Sequence, residues 1–498
     1  MAHAQLNEPL RLPPYMLPSD ALFWYSEAAT PGIRPLVGGL MLLDRPPNQH
    51  KFTQAMARWV ALIPRMRQKV QEVPLSLTLP QWVDDPTFDL SYHLRQVELP
   101  PPGNRKQLFE FVSSAFATPL DHERPLWEAY VIRGLAQNRA AIFVKVHHCL
   151  MDGVGSMAGF DAMTQRRRNE PLPPVRLRRA KEPAPPPVQL ASALTHTAER
   201  VAKLGLAAAQ LALNGLRNPS RLIEQAETAA RGLRGLWQDL TASPVPDPLG
   251  ERATGIGRRL NAMALDLPRL RQAKEQLGVT LNDFMLALLA GAAGKYYRSR
   301  GLHVPELHCM VPISLRQESE RYQLGNRVGM CNVRMPVGEP DPGKRLAIIQ
   351  GQTTAAKRDR RGAAYPLLMQ LLAVTPGFVF RRLARSAIGQ INLIVTNVPG
   401  PAEIRYIAGA KIQEMYPYAP VAEKLPLAIA LLSYAHTYGI GIDTDPAAIP
   451  DPERLVTFIG EATDEMLAYA ARSPRVAPVP PAAAQRTTAA ASGAGARS

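Results

Sequence analysis

Two adjacent histidines, three spacers, an aspartate and a glycine close a short apolar run, Val146-His147-His148-Cys149-Leu150-Met151-Asp152-Gly153. An unperturbed imidazole titrates near ~6.5, so at working pH it can take a proton from a hydroxyl and pass it to a leaving group. That is the chemistry of acyl transfer. The run before it, residues 140–146, is short and carries Ile142, Val144 and Val146, which predicts a buried strand. Successive strand side chains point to opposite faces, so one cavity can receive only one of His147 and His148, and Cys149 faces away from His148. Asp152 falls at the strand-to-helix turn, where a carboxylate can pair with an arginine or accept backbone N–H groups, and Gly153 permits the tight backbone. Both read as scaffolding. Two other readings stay open on spacing alone: a core histidine beside a surface one, and a His148–Asp152 metal pair, which has no third ligand at zinc-like spacing nearby.

Elements on both sides must hold this turn. Residues 18–27 join a cap-like Ser19-Asp20 to an aromatic helix face, and residues 37–43 read as a strand. Residues 52–62 and 106–117 read as helices, and residues 74–97 as short strands broken by proline. Residues 126–132 and 140–146 pair as a hairpin in a mixed sheet, with Trp127 in the core. Residues 154–163 then form a helix whose first turn offers N–H groups and partial positive charge to an anionic group. In the second half, residues 262–267, 308–311, 331–335, 391–396 and 427–433 read as strands, and residues 267–277, 281–297 and 452–471 as helices. Asn282-Asp283 sits on the first turn of a strongly apolar helix, capped by Thr280 or Asn282, where a polar pair either caps or reaches into a cavity.

Composition narrows the class. At 498 residues the chain predicts two α/β domains, 1–168 and 251–472, divided by a proline-rich linker and basic helical connector over 169–250 and followed by a disordered tail, 473–498. Lys plus Arg exceeds Asp plus Glu by 16, which points to an acidic partner. Aromatics are only 6% of residues and no nucleic-acid motif accompanies the charge, so nucleic acid is set aside in favour of an anionic membrane or the phosphates of coenzyme A. Residues 190–240 carry alanine, leucine and spaced arginines, including Arg200, Arg217, Arg221, Arg231 and Arg234. They read either as a basic amphipathic hairpin on anionic lipid or as a linker helix packed over both domains. Three scattered cysteines, residues 1–15 without the basic start and apolar core of a signal peptide, and no run of about eighteen apolar residues predict a cytoplasmic chain that does not span a membrane.

The histidine motif resembles the HHxxxDG signature of the CoA-dependent acyltransferase superfamily, which includes chloramphenicol acetyltransferase and the condensation domains of peptide synthetases. Leu17-Pro18-Ser19-Asp20, Arg124-Pro125-Leu126-Trp127-Glu128, Thr280-Leu281-Asn282-Asp283, Val311-Pro312-Ile313-Ser314-Leu315-Arg316, Gly325-Asn326-Arg327 and Asn392–Pro401 follow in order. Together they resemble the bacterial wax ester synthase/acyl-CoA:diacylglycerol acyltransferase family over residues 15–470. The resemblance implies two chloramphenicol acetyltransferase-like domains, each a mixed sheet flanked by helices, with an active-site tunnel at their interface. It implies an O-acyltransferase that moves a fatty acyl group from acyl-CoA to diacylglycerol or a long-chain alcohol without an acyl-enzyme, with acyl-CoA as substrate and no cofactor or metal. His148 is then the general base, with His147, Asn282 and Asp283 in the catalytic group and Asn282 a donor to the developing oxyanion. Asp152 is expected to pair with Arg316 before Arg327. The expected place is the inner membrane surface or lipid inclusions.

The chain departs from the family pattern in three places. Residues 421–426 replace a glycine-rich acceptor-side loop, Ser433-Tyr434-Ala435-His436 replaces Ser-Tyr-x-Gly, and Arg34-Pro35-Leu36-Val37-Gly38-Gly39 replaces Met-His-Val-Gly-Gly. Two alternatives therefore stand beside the main reading. One is the same fold acting on another acceptor, such as a polyketide or carrier-bound chain; the other is a catalytically inactive lipid- or membrane-binding protein.

Overall fold

The computed structural model describes residues 8–29, 33–73, 77–151, 153–175, 178–182, 184–217, 220, 227, 234, 245–314, 328–358, 369 and 391–475. The first half runs α1 (Pro18–Ala29), β1 (Leu36–Leu43), α2 (Gln49–Leu62), β2 (Gln68–Gln71), β3 (Gln81–Asp84), α3 (Leu90–His93), β4 (Leu94–Glu98), α4 (Arg105–Ala117), β5 (Trp127–Leu135), β6 (Arg139–His147) and α5 (Gly153–Met163). A long helix follows, α6 (Pro186–Arg217). The second half runs β7 (Arg259–Asp266), α7 (Leu267–Gln276), α8 (Leu281–Ser299), β8 (Leu307–Ser314), β9 (Val328–Met335), α9 (Pro342–Arg358), β10 (Leu393–Val398), β11 (Tyr406–Ile407), β12 (Ala410–Tyr418), β13 (Leu427–Tyr434), β14 (Thr437–Thr444) and α10 (Pro452–Arg472).

The predicted strand over 140–146 is β6, near the middle of a mixed sheet ordered β11-β12-β1-β6-β5-β4. Residues Ala140 to Val146 are all buried because both faces of this strand are covered. β5 and β6 form the expected antiparallel hairpin, turned by Gln137 and Asn138 in the left-handed region. Trp127 lies wholly inside, its Nε1–H donating to the Met66 carbonyl at 2.7 Å and its ring stacked on His93. The stretch expected as broken strands also holds one helical turn, α3, because the Asp89 side chain accepts the N–H of Ser91 and caps it.

The second mixed sheet is ordered β7-β14-β13-β10-β8-β9. Helix α8 is apolar almost all round and buried from Asp283 to Gly294, which makes it the core of this half. The linear partition at 251–472 does not hold as a partition of sheets. Residues 406–418 leave the second half and complete the first sheet, where β12 pairs with β1 from Gly38↔Tyr418 to Leu43↔Ile412. The crossing works because β12 lies directly against β14. A Cβ at Gly439 would stand 2.0 Å from the Met415 carbonyl oxygen, and one at Gly441 would stand 1.7 Å from that of Pro417. Only glycine admits so close a backbone. The Ser113 hydroxyl of α4 accepts the Leu260 N–H at 2.8 Å, which ties the first half to the edge of the second sheet.

Of the proline-rich linker, residues 169–175, 178–182 and 184–185 carry no helix or strand. The helix after it starts at Pro186, earlier than the expected 190, since proline is tolerated where the N–H has no intrahelical acceptor. Of the stretch expected as a basic hairpin or a linker helix, the part through Arg217 is one helix, and most of residues 218–244, with Arg221 and Arg231, lie outside the described residues. The expected tail lies outside them from residue 476, although α10 and its cap reach Ser473. Among the described residues no single helix is long and apolar enough to cross a membrane.

Candidate active site

The two histidines part at the end of β6. His147 still pairs with Leu36 of β1, and the His148 N–H donates to the Pro35 carbonyl at 2.7 Å, so β1 steers the chain as it leaves the sheet. His147 is fully buried, and its Nδ1 accepts the Cys149 N–H at 3.1 Å. The ring proton is thereby placed on Nε2, which faces Glu27 Oε2 at 3.1 Å. His122 reaches the same carboxylate oxygen at 3.1 Å. Burial favours protonation of Glu27, but hydrogen bonds from both imidazoles hold its carboxyl down at about 2. The Glu27 bond in turn raises His122 above the ordinary histidine value. His147 is thus the post that ties α1 to the turn. It takes no place on the cavity wall.

His148 points the other way. Its ring stacks on Phe23 with centroids 3.8 Å apart and planes 5° from parallel, and it lines a cavity of about 1510 Å³, counting its open mouth. The first sheet supplies Val37, Gly39, Met41, Val144, Val146, Met415 and Pro417; α2 and α5 supply Trp59, Met157, Phe160 and Met163; the second sheet supplies Met310, Ile394, Thr396, Val398, Ala430 and Leu432. The cavity therefore lies between the two sheets. Polar side chains on its wall are few, Ser19, His148, Ser156 and Thr396 among them. A ring that can carry protons, set in an apolar passage, suits proton transfer with water largely shut out. Cys149 is fully buried, and burial pushes its thiol well up, which keeps it out of nucleophilic chemistry.

The remaining candidates fall in several places. Helix α5 starts at Gly153, directly after the turn, whereas Asp152, Arg316 and Arg327 lie outside the described residues. Asn282 and Asp283 are not brought to His148: neither is among the described residues that line its cavity. The cap of α8 is Thr280, whose hydroxyl accepts the Asp283 N–H and donates to Asp283 Oδ2 at 2.6 Å. The Thr353 hydroxyl of α9 donates to Asp283 Oδ1 at 2.8 Å. In this arrangement Asp283 caps and packs α8, with both carboxylate oxygens hydrogen-bonded. Glu27 and His122 were given no site role by sequence reasoning, and Gly39 entered only as part of the altered 34–39 segment. Only Glu27 left a signal, as an acidic residue four positions after Phe23 on an aromatic helix face.

The altered segments have local explanations. Ala419 and Pro420 line the cavity, and the loop after them is pinned by the Arg258 guanidinium, which donates to the Val421 carbonyl at 2.9 Å. In the β13–β14 turn the left-handed residue is Ala435, with φ of 48°, so position 436 accepts a histidine where the family carries glycine.

Comparison with known proteins agrees with this geometry. The model of the wax ester synthase/diacylglycerol acyltransferase catalytic domain matches residues 16–285, and that of the WS/DGAT C-terminal domain matches residues 324–467. A probable diacylglycerol O-acyltransferase of Mycobacterium tuberculosis is 28% identical over 471 residues, covering 91% of this chain and 96% of the relative. A second Mycobacterium tuberculosis protein, described as a putative diacylglycerol O-acyltransferase, is 31% identical over 466 residues, with 91% and 99% covered. Among solved structures, the wax ester synthase/diacylglycerol acyltransferase of Marinobacter aquaeolei VT8 superposes with a TM-score of 0.62 at 26% identity, over 92% of this chain and all of that one. The first condensation domain of the calcium-dependent antibiotic synthetase shares the fold, with a TM-score of 0.58 at 17% identity over 93% and 97% of the two chains. With both of its domain models matched in order around a histidine that faces an interdomain cavity, this chain belongs to the wax ester synthase/diacylglycerol acyltransferase family.

Proposed function

We propose that this enzyme moves a fatty acyl group from acyl-CoA to the hydroxyl of diacylglycerol or of a long-chain alcohol, with His148 as general base. The observation that carries the reading is the His148 imidazole on the wall of a largely apolar cavity between the two sheets. The hydroxyl proton passes to His148 as its oxygen attacks the thioester carbonyl. The C–S bond then breaks, and the same proton goes to the departing CoA thiolate, so the ester forms without an acyl-enzyme. Holding two lipidic reactants together with little water supplies much of the rate and suppresses hydrolysis of the thioester.

His148→Ala tests this. CoA thiol release from palmitoyl-CoA, with hexadecanol or diacylglycerol as acceptor, should fall by about a hundredfold or more with the fold intact. A variant that keeps most of the wild-type rate refutes the base assignment. A wild-type protein that binds vesicles yet releases no thiol with either acceptor refutes the enzymatic reading.

The second part of the proposal is where the enzyme works: peripheral on an anionic membrane surface or lipid droplet, reached from the cytoplasmic side. Helix α6 is held to the first half at its start, where Ser192 meets the Tyr15 hydroxyl at 2.8 Å and His196 stacks on Tyr15. Leu190, Leu194 and Val201 nonetheless form an exposed stripe at helical spacing, while Leu206 and Leu213 are exposed on another face of the same helix. An apolar stripe on a chain with 16 excess positive charges suits an anionic lipid surface.

A further inference from the structure

Gly39 sits in the middle of β1, a strand paired on both sides, with Val144 of β6 and Pro417 of β12 as its cross-strand partners. Glycine in such a place gives up side-chain packing and costs conformational entropy, and it persists where another body must come close. Its neighbour is closely packed instead. A Cβ on Gly38 would meet the rings of Phe143 at 3.1 Å and Phe116 at 3.2 Å, whereas a Cβ on Gly39 would meet nothing within 4 Å. The open space is the cavity that His148 lines. Alternation along β1 puts Val37 and Met41 on the same face, so Gly39 is a notch between two side chains in the cavity floor.

We propose that this notch is the seat of a substrate alkyl chain and sets how long a chain the enzyme accepts. The inference rests on the acyl-transfer reading of the same cavity and adds the residue that gauges its substrate. Its position gives the length. His147 pairs with Leu36, three residues from Gly39, which places the notch ~10 Å from the histidine end of the strand at ~3.3 Å per residue. An extended alkyl chain advances ~1.25 Å per carbon–carbon bond, so a chain whose reacting carbon lies at His148 crosses Gly39 after about eight bonds. Chains of eight carbons stop short of it, and chains of sixteen must pass over it.

The test uses Gly39→Ala and Gly39→Leu, with Gly38→Ala as a control on the opposite face of the strand. Thiol release is measured in two arms: acyl-CoA of eight to eighteen carbons with one fixed alcohol, and alcohols of eight to eighteen carbons with one fixed acyl-CoA. Direct binding of free fatty acids and fatty alcohols of the same lengths, followed by tryptophan quenching, gives a readout independent of turnover. The ratio of sixteen-carbon to eight-carbon substrates should fall by about tenfold or more in Gly39→Leu and by a smaller factor in Gly39→Ala, since an apolar pocket discriminates by roughly 10–200-fold per methylene that does not fit. A shift confined to the acyl arm assigns the notch to the donor chain, and one confined to the alcohol arm assigns it to the acceptor. Gly38→Ala should scale all lengths together. Parallel length profiles for wild type and both Gly39 variants, in turnover and in binding, overturn the inference. A wild-type protein that binds the chains in a Gly39-dependent way but never releases thiol overturns the acyl-transfer reading instead.

Discussion

Replacing Glu27 with glutamine should loosen the post that holds the histidine turn, and the loss should depend on pH in a defined way. The amide keeps the size and one acceptor but removes the charge shared by His122 and His147. The carboxyl falls from 4.5 to about 2 on folding, and at ~1.4 kcal/mol per unit this contributes ~3 kcal/mol. A depressed carboxyl stabilises the fold above its unfolded value of 4.5, and that stability is lost as pH falls through about 2. His122 is raised, so its share is present below 6.5 and lost as pH rises through its folded value. The cluster is therefore strongest between 4.5 and 6.5. The melting midpoint of Glu27→Gln, followed by circular dichroism, should lie about 5 °C below wild type at pH 6, with the gap closing toward pH 2–3. Because the Cys149 N–H leans on His147, the turn that aims His148 should also drift, lowering kcat by about tenfold to a hundredfold with KM little changed. A midpoint gap that stays constant from pH 3 to 8, together with an unchanged kcat, refutes the reasoning.

Two further changes probe regions away from the cavity. Introducing Leu194→Glu with Val201→Glu removes two exposed apolar side chains from α6, worth ~3 kcal/mol if both enter lipid, so partitioning onto vesicles of anionic and neutral phospholipid should drop by about a hundredfold; unchanged sedimentation with vesicles counts against the membrane role. Burial pushes the Asp443 carboxyl up to about 8, with the Arg258 guanidinium at 3.6 Å opposing the shift. A raised carboxyl makes the folded state hold the extra proton, so wild-type stability falls as pH rises from 3.8 toward 8. Asp443→Asn should escape this fall and gain on wild type as pH rises from 5 to 8, measured by thermal melts; a constant difference over that range contradicts it.

Local pattern carried far in this chain wherever a choice depended on near neighbours. The β-branched run over 140–146, the aromatic helix before residue 27 and the hairpin from β5 to β6 were legible because strand and helix periodicities are set within a few residues. The same alternation dictated that only one of His147 and His148 could face a cavity. Which one was a different matter. Glu27, 120 residues earlier, takes His147 into the core and leaves His148 on the open side. For Asn282-Asp283 capping was the default from sequence and the resemblance added a site role; the partners that hold the aspartate, Thr280 beside it and Thr353 70 residues away, came only with the structure. Gly39 stood in a segment compared with the family pattern, but that its missing side chain borders empty space was visible only in the structure. β12 gave no sign along the chain that it would join the other half's sheet, a move made possible by Gly439 and Gly441 far downstream. Periodicity says that two faces exist, but what covers each face is decided by segments distant in the chain, and it is that covering which separates a buried histidine from one that lines a cavity.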